Sequence, residues 1–227
     1  NIVDGAVMNV GKAENFSNNK AYVGAGNISN TGIINISGAG SALHLINNAP
    51  YYGDSVENGT LYLGFIGNGI VNITDGGKLS AGRVSASTTL AGKNSVTMAK
   101  PPFAEINVTG EKSQLIIGSQ MVLAADAYDD LQVIDATLTQ KGAGSAVLNV
   151  SDHAEVIFEG KANTDIDGFD NPVSGLFMAG NAATSATVNL NQDGFISIAN
   201  STLSPDKDAI VAGDGVYAFN LNGGTLR

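Results

Sequence analysis

The densest group of oxygen ligands in the chain is Asp165-Ile166-Asp167-Gly168-Phe169-Asp170-Asn171. Asp165, Asp167, Asp170 and Asn171 could wrap a Ca²⁺ ion, with Gly168 supplying the bend that such a loop needs. The run lacks the Asp-x-Asp-x-Asp-Gly spacing and the distal bidentate Glu of a regular calcium loop. A solvated acidic loop therefore outweighs a calcium site. Asp126, Asp129, Asp130 and Asp135 make a looser group still. His44 and His153 are the only histidines, and neither has metal-ligand spacing. With no cysteine in the chain, a zinc site lacks its usual ligands. No other cofactor is expected.

Catalytic constellations are equally thin. Gly53-Asp54-Ser55 is similar to a serine hydrolase signature. A nucleophilic Ser needs a positioned base and an oxyanion hole, and Val56 follows where such signatures carry Gly. We read the stretch as a turn. Paired carboxylates could serve a polysaccharide hydrolase, or a lyase using Ca²⁺ and a base such as Lys161, but no motif supports either. A non-enzyme is expected, with a carbohydrate-active enzyme as the alternative.

Composition narrows the partners. The 227 residues are 43% hydrophobic, enough to fill a core. A net charge of −10 with 11 scattered Lys and Arg argues against nucleic acid and anionic membrane, both of which need clustered positive charge. No apolar run approaches the ~20 residues of a membrane-spanning helix. Without disulfides, stability must come from burial and hydrogen bonding. The chain starts at Asn1 without a Met and stops at Arg227 directly after a repeat. Residues 1–227 are therefore expected to be one piece of a longer protein.

Any positioning of side chains depends on a phrase that runs through the whole chain. Ile70-Val71-Asn72-Ile73-Thr74-Asp75-Gly76-Gly77-Lys78-Leu79 reads apolar, Asn, apolar, Ser or Thr, then a Gly/Asp turn. Other strong copies centre on Asn35, Asn107 and Asn149, and weaker ones on Asn9, Asn189 and Asn220. The intervals between these Asn residues are 26, 37, 35, 42, 40 and 31. An apolar pair followed by Gly precedes several copies, as at Val23-Gly24, Leu63-Gly64, Ile117-Gly118, Ala179-Gly180 and Ala212-Gly213. His153 falls in the turn of one copy and is read as exposed; His44 closes another. The Asn-x-Ser/Thr triplets at Asn35, Asn72, Asn107 and Asn149 are by-products of the phrase rather than glycosylation sites.

Alternation within the phrase has period two, so Val71 and Ile73 point inward while Asn72 and Thr74 point outward. A propeller usually carries an aromatic signature in each repeat, and Trp is absent. A sandwich would not repeat one phrase. The expected fold class is all-β, a parallel β-helix in which identical phrases stack, Val, Ile and Leu form inner columns, and Asn residues form amide ladders. At about 20 residues per coil the chain would make roughly eleven coils, a rod on the order of 50 Å long. Stretches near 47–59, 86–103, 121–141 and 158–175 interrupt the phrase and are expected to be loops, the customary place for binding.

Tyr62-Leu63-Gly64 followed by Gly69 to Leu79 resembles the repeat of bacterial autotransporter passenger domains of the AIDA/antigen 43 adhesin type. Phe219-Asn220-Leu221-Asn222-Gly223-Gly224-Thr225-Leu226 is similar to the NGGTL phrase common in those passengers. The resemblance extends over essentially the whole chain. It implies a right-handed β-helix, exported by type V secretion through the outer membrane and displayed on a Gram-negative cell surface. It further implies a role in cell adhesion, autoaggregation, biofilm formation or virulence. The implied partner is a copy of the chain on a neighbouring cell, or a host surface protein or glycan, with no membrane contact by this piece. A spacer that binds nothing is the further alternative. Because acidic surfaces repel, self-association is expected to strengthen with salt unless hydrogen bonding dominates.

Overall fold

The structure is a computed structural model and describes residues 1–10, 20–24, 30–45, 59–64, 67–87, 101–124, 144–160, 175–180, 182–199 and 209–227. Every regular element among them is a β-strand, and every pairing is parallel. The chain is a parallel β-solenoid. Its first coil carries β1 (Ile2–Val3), β2 (Val7–Val10) and β3 (Lys20–Val23). The second carries β4 (Thr31–Ser37), β5 (Ala42–Leu45) and β6 (Thr60–Leu63). In the third and fourth, a seven-residue strand is followed by one long one: β7 (Asn68–Thr74) and β8 (Lys78–Ala86), then β9 (Phe103–Thr109) and β10 (Gln114–Leu123). The fifth has β11 (Gly144–Ser151), β12 (Glu155–Phe158) and β13 (Gly175–Met178). The sixth has β14 (Thr184–Leu190), β15 (Phe195–Ile198) and β16 (Ile210–Ala212), and the seventh β17 (Val216–Leu221) and β18 (Thr225–Leu226).

These strands stack into three faces. The first runs β1-β4-β7-β9-β11-β14-β17. The second runs from β2 through β5 and the leading halves of β8 and β10 to β12, β15 and β18. The third joins β3, β6, the trailing halves of β8 and β10, β13 and β16. Where β10 passes from the second face to the third, Gly118 and Ser119 stand against Gly82 alone, a β-bulge that bends the strand. The Ser119 hydroxyl closes it by donating to the Gly82 carbonyl at 2.9 Å.

Inward side chains of all three faces share one apolar core. The register lines up Ile36, Ile73, Val108, Val150 and Leu190 on the first face, and Leu43, Leu79, Leu115, Val156 and Ile196 on the second. All ten are buried. Val71 and Ile73 point inward and are fully buried, as the alternation requires. Each coil is apolar towards both neighbours, so the terminal coils, with a neighbour on one side, leave Val7, Met8, Tyr217 and Leu221 exposed.

Three sequence expectations change. The described residues form seven coils rather than eleven, because a coil has three faces and consumes the whole interval between successive Asn residues. Asn9 is not on the first face: it lies in β2 opposite His44, and Asn1 takes the place assigned to it. Every face alternates with period two, so apolar–Asn–apolar alone does not name the face. For the same reason Ile116-Ile117-Gly118 falls at the bulge, while the residues stacked with Leu63-Gly64 in the next two coils are Ala86-Ser87 and Leu123-Ala124.

In chain order all four interruptions fall next to a third-face strand. Those near 47–59 and 158–175 separate the second face from the third, and those near 86–103 and 121–141 separate the third from the first. Within them Ala86, Phe103, Met121 to Leu123, Phe158 and Gly175 are strand residues, not loop. The outer surface of the third face is itself covered in its middle coils. Tyr62, Ser85 and Val122 point away from the core by alternation, yet all are buried. Tyr22 stacks on the Tyr62 ring with centroids 4.8 Å apart.

Candidate functional site

The first face is the one whose outer side chains form an ordered array. Asn1, just before β1, and strand residues Asn35, Asn72, Asn107, Asn149, Asn189 and Asn220 stack in register, and each strand amide donates to the carbonyl oxygen of the Asn one coil earlier. The six bonds measure 2.8 Å, 2.8 Å, 2.9 Å, 2.8 Å, 2.8 Å and 2.8 Å. Parallel strands place identical residues about 4.8 Å apart, a distance that an amide side chain spans. An amide has two N–H donors and two acceptor positions. Each ladder bond uses one of each, so a periodic row of donors and acceptors still faces outward.

Beside the ladder runs a column of hydroxyls, Ser37, Thr74, Thr109 and Ser151. At the corner that follows, Asp75 and Asp152 sit at φ 53° and 54°, left-handed backbone that Asp tolerates better than most residues. Asp75 Oδ2 accepts from Ser37 at 2.8 Å and Thr74 at 3.1 Å. Asp152 Oδ2 accepts from Thr109 at 2.7 Å and Ser151 at 3.1 Å. The Thr109 bond, then the Ser151 bond, hold the Asp152 carboxyl below its ordinary value, and His153 adds a smaller pull. A carboxyl depressed in the folded state contributes stability above its unfolded value, and that contribution is lost as pH falls through the folded value. Thr109→Ala should therefore move the Asp152 midpoint upward in a carboxyl NMR titration. An unmoved midpoint would show that the bond does not set it.

Two further outward columns complete the face: Thr31, Asn68, Phe103, Ser145 and Ser185, then Ile33, Ile70, Glu105, Val147 and Thr187. Glu105 is the sole charged residue in the seven strands of this face, although the chain carries a net −10. An open depression of about 370 Å³ lies at its margin, lined by Thr31, Asn68, Ile70, Pro101, Phe103 and Ser145.

The residues marked from sequence are distributed as follows. Asp165, Asp167, Asp170 and Asn171 lie outside the described residues, as do Asp126, Asp129, Asp130, Asp135, Ser55 and Lys161. Among the described residues no three His, Asp or Glu side chains converge on one point where a metal could sit. His44 is half-buried in β5, its Nδ1 2.6 Å from Ser80 Oγ. His153 is exposed in its turn, 4.0 Å from Asp193. Sequence reasoning reached the ladder but missed the near-neutrality of this face and its depression. Both were visible only once the register had assigned each strand to a face. No protein-family model, no curated protein and no solved structure matches the chain.

Proposed function

We propose that this chain is an adhesive module of a bacterial surface protein, exported as an autotransporter-type passenger, and that the outer surface of the first face is its contact surface. Its partner is a copy of itself on a neighbouring cell, or a host surface protein or glycan. The observation that carries the reading is the ladder: a flat, nearly uncharged array of amide and hydroxyl groups repeating once per coil. Such an array recognises extended partners through many equivalent hydrogen bonds. The parallel solenoid and the absence of cysteine add support, because a passenger of that type crosses the outer membrane unfolded.

Displaying the chain on a non-adherent bacterium and scoring settling and surface attachment tests this. Val147→Lys and Thr187→Lys place two charges on the face at outward positions, and attachment should fall at least about tenfold, the equivalent of 1.4 kcal/mol. Since Glu105 is the only charge in these strands, clumping through this face should vary little with salt, in contrast to the expectation from net charge. Attachment that survives both substitutions, or measurable glycan turnover without attachment, would sink the proposal.

A further inference from the structure

The depression at the margin of the first face is the feature of this surface that departs from its repeat. Resting on the adhesive reading above, we infer that it is a subsite for an uncharged pyranose ring of a surface glycan. Phe103, Ile70 and Pro101 form an apolar floor, suited to the C–H face of a sugar, which packs on aromatic and aliphatic surfaces. Thr31, Asn68 and Ser145 place two hydroxyls and an amide around that floor, groups that both donate and accept as sugar hydroxyls require. The Asn68 Nδ2 already donates to Thr31 Oγ1 at 3.3 Å, which orients its carbonyl oxygen as an acceptor.

Two residues beyond Phe103 and pointing to the same side, Glu105 supplies a carboxylate in the column next to Asn68 and Phe103. The face strands contain no Lys or Arg, so among the described residues of this face an anionic sugar would find no counter-charge and would meet Glu105. That selects neutral sugars over sialic or uronic acids. A volume of about 370 Å³ stands at the small end of ligand sites, which run from about 300 to 1,000 Å³. It fits one or two rings, and the open side lets the rest of a glycan continue across the face. Phe103 enters this column where its neighbours are Asn68 and Ser145, so the aromatic floor belongs to one coil and not to the repeat.

The test uses the 227-residue chain with methyl glucoside, methyl galactoside and N-acetylglucosamine as neutral probes, and sialic and glucuronic acid as anionic ones. At least one neutral probe should perturb the NMR signals of Phe103 and Ser145, while the acids leave them unchanged. Phe103→Ala should weaken that binding about tenfold, and Phe103→Tyr should retain it. Phe103 is only half-buried, and if the alanine variant fails to fold, Ser145→Ala with the tyrosine variant carries the comparison. Silence from every neutral probe, equal binding of the acids, or full affinity in Phe103→Ala would overturn the subsite. Attachment of displayed cells without any sugar binding overturns this inference and leaves the adhesive module standing; sugar binding without attachment does the reverse.

Discussion

Leu115→Ala is expected to lower the free energy of unfolding by about 3–4 kcal/mol, the usual range for emptying a fully buried leucine site. Leu115 is 1% exposed and is held in register between Leu79 and Val156. Its strand lies in the fourth of seven coils, and in a solenoid each coil is stabilised by its immediate neighbours. The cavity therefore weakens both interfaces of the central coil at once. Urea unfolding followed by circular dichroism should show a lower midpoint, and a reduced slope if the two halves begin to unfold separately. Met8 belongs to the same inward column but is 52% exposed in the first coil. Met8→Ala should cost less than about 1 kcal/mol, since little buried area is lost. Equal losses at both sites would mean that the column does not couple the coils.

The second large effect is expected at Gly64, at the corner between the third face and the first. Gly24, Gly64, Ser87, Ala124 and Ala179 stack there, with φ of 73°, 67°, 56°, 54° and 50°. Three of these five left-handed positions carry a side chain, so the backbone conformation alone, about 1 kcal/mol, is tolerated. Space decides instead. A Cβ on Gly64 would lie 2.4 Å from the Phe103 carbonyl oxygen, a backbone atom that cannot swing away. Gly64→Ala should cost about 3 kcal/mol or more as strain spreads into β9. Ala179→Gly, at the same corner, should change stability by less than about 1 kcal/mol, because relief of the left-handed strain offsets the lost methyl. A Gly64→Ala protein that melts with the parent would show that the corner can open freely.

Local alternation was fully legible in the chain. Val71 and Ile73 inward, with Asn72 laddered, follows from two-residue periodicity and recurrence alone. What could not be read was phase around the coil. Asn9 and Asn35 share a phrase and occupy different faces, and Ile117-Gly118 imitates Leu63-Gly64 from the other side of a bulge. Period two assigns a residue to the inside or outside and says nothing about which of three faces it belongs to. The coil count went wrong through the same ambiguity. Tyr62 shows a second limit: its alternation is correct, but outward did not mean exposed, because the third face is covered on both sides in its middle coils. The candidate contact surface was half legible. Its ladder is written in the repeat, whereas the clustering of neutral residues on one side needed the register to become visible.

The ladder and the bonds between paired strands run along the solenoid axis, and that direction matters under tension. A pull applied along the axis loads the coils in series, so the interfaces separate one after another instead of sharing the load. Each coil that peels away releases the chain between successive laddered Asn residues, 31 to 42 residues, or about 100 to 140 Å of extended polypeptide. A tether built in this way yields at modest force, lengthens severalfold in steps, and keeps the coils still folded at either end.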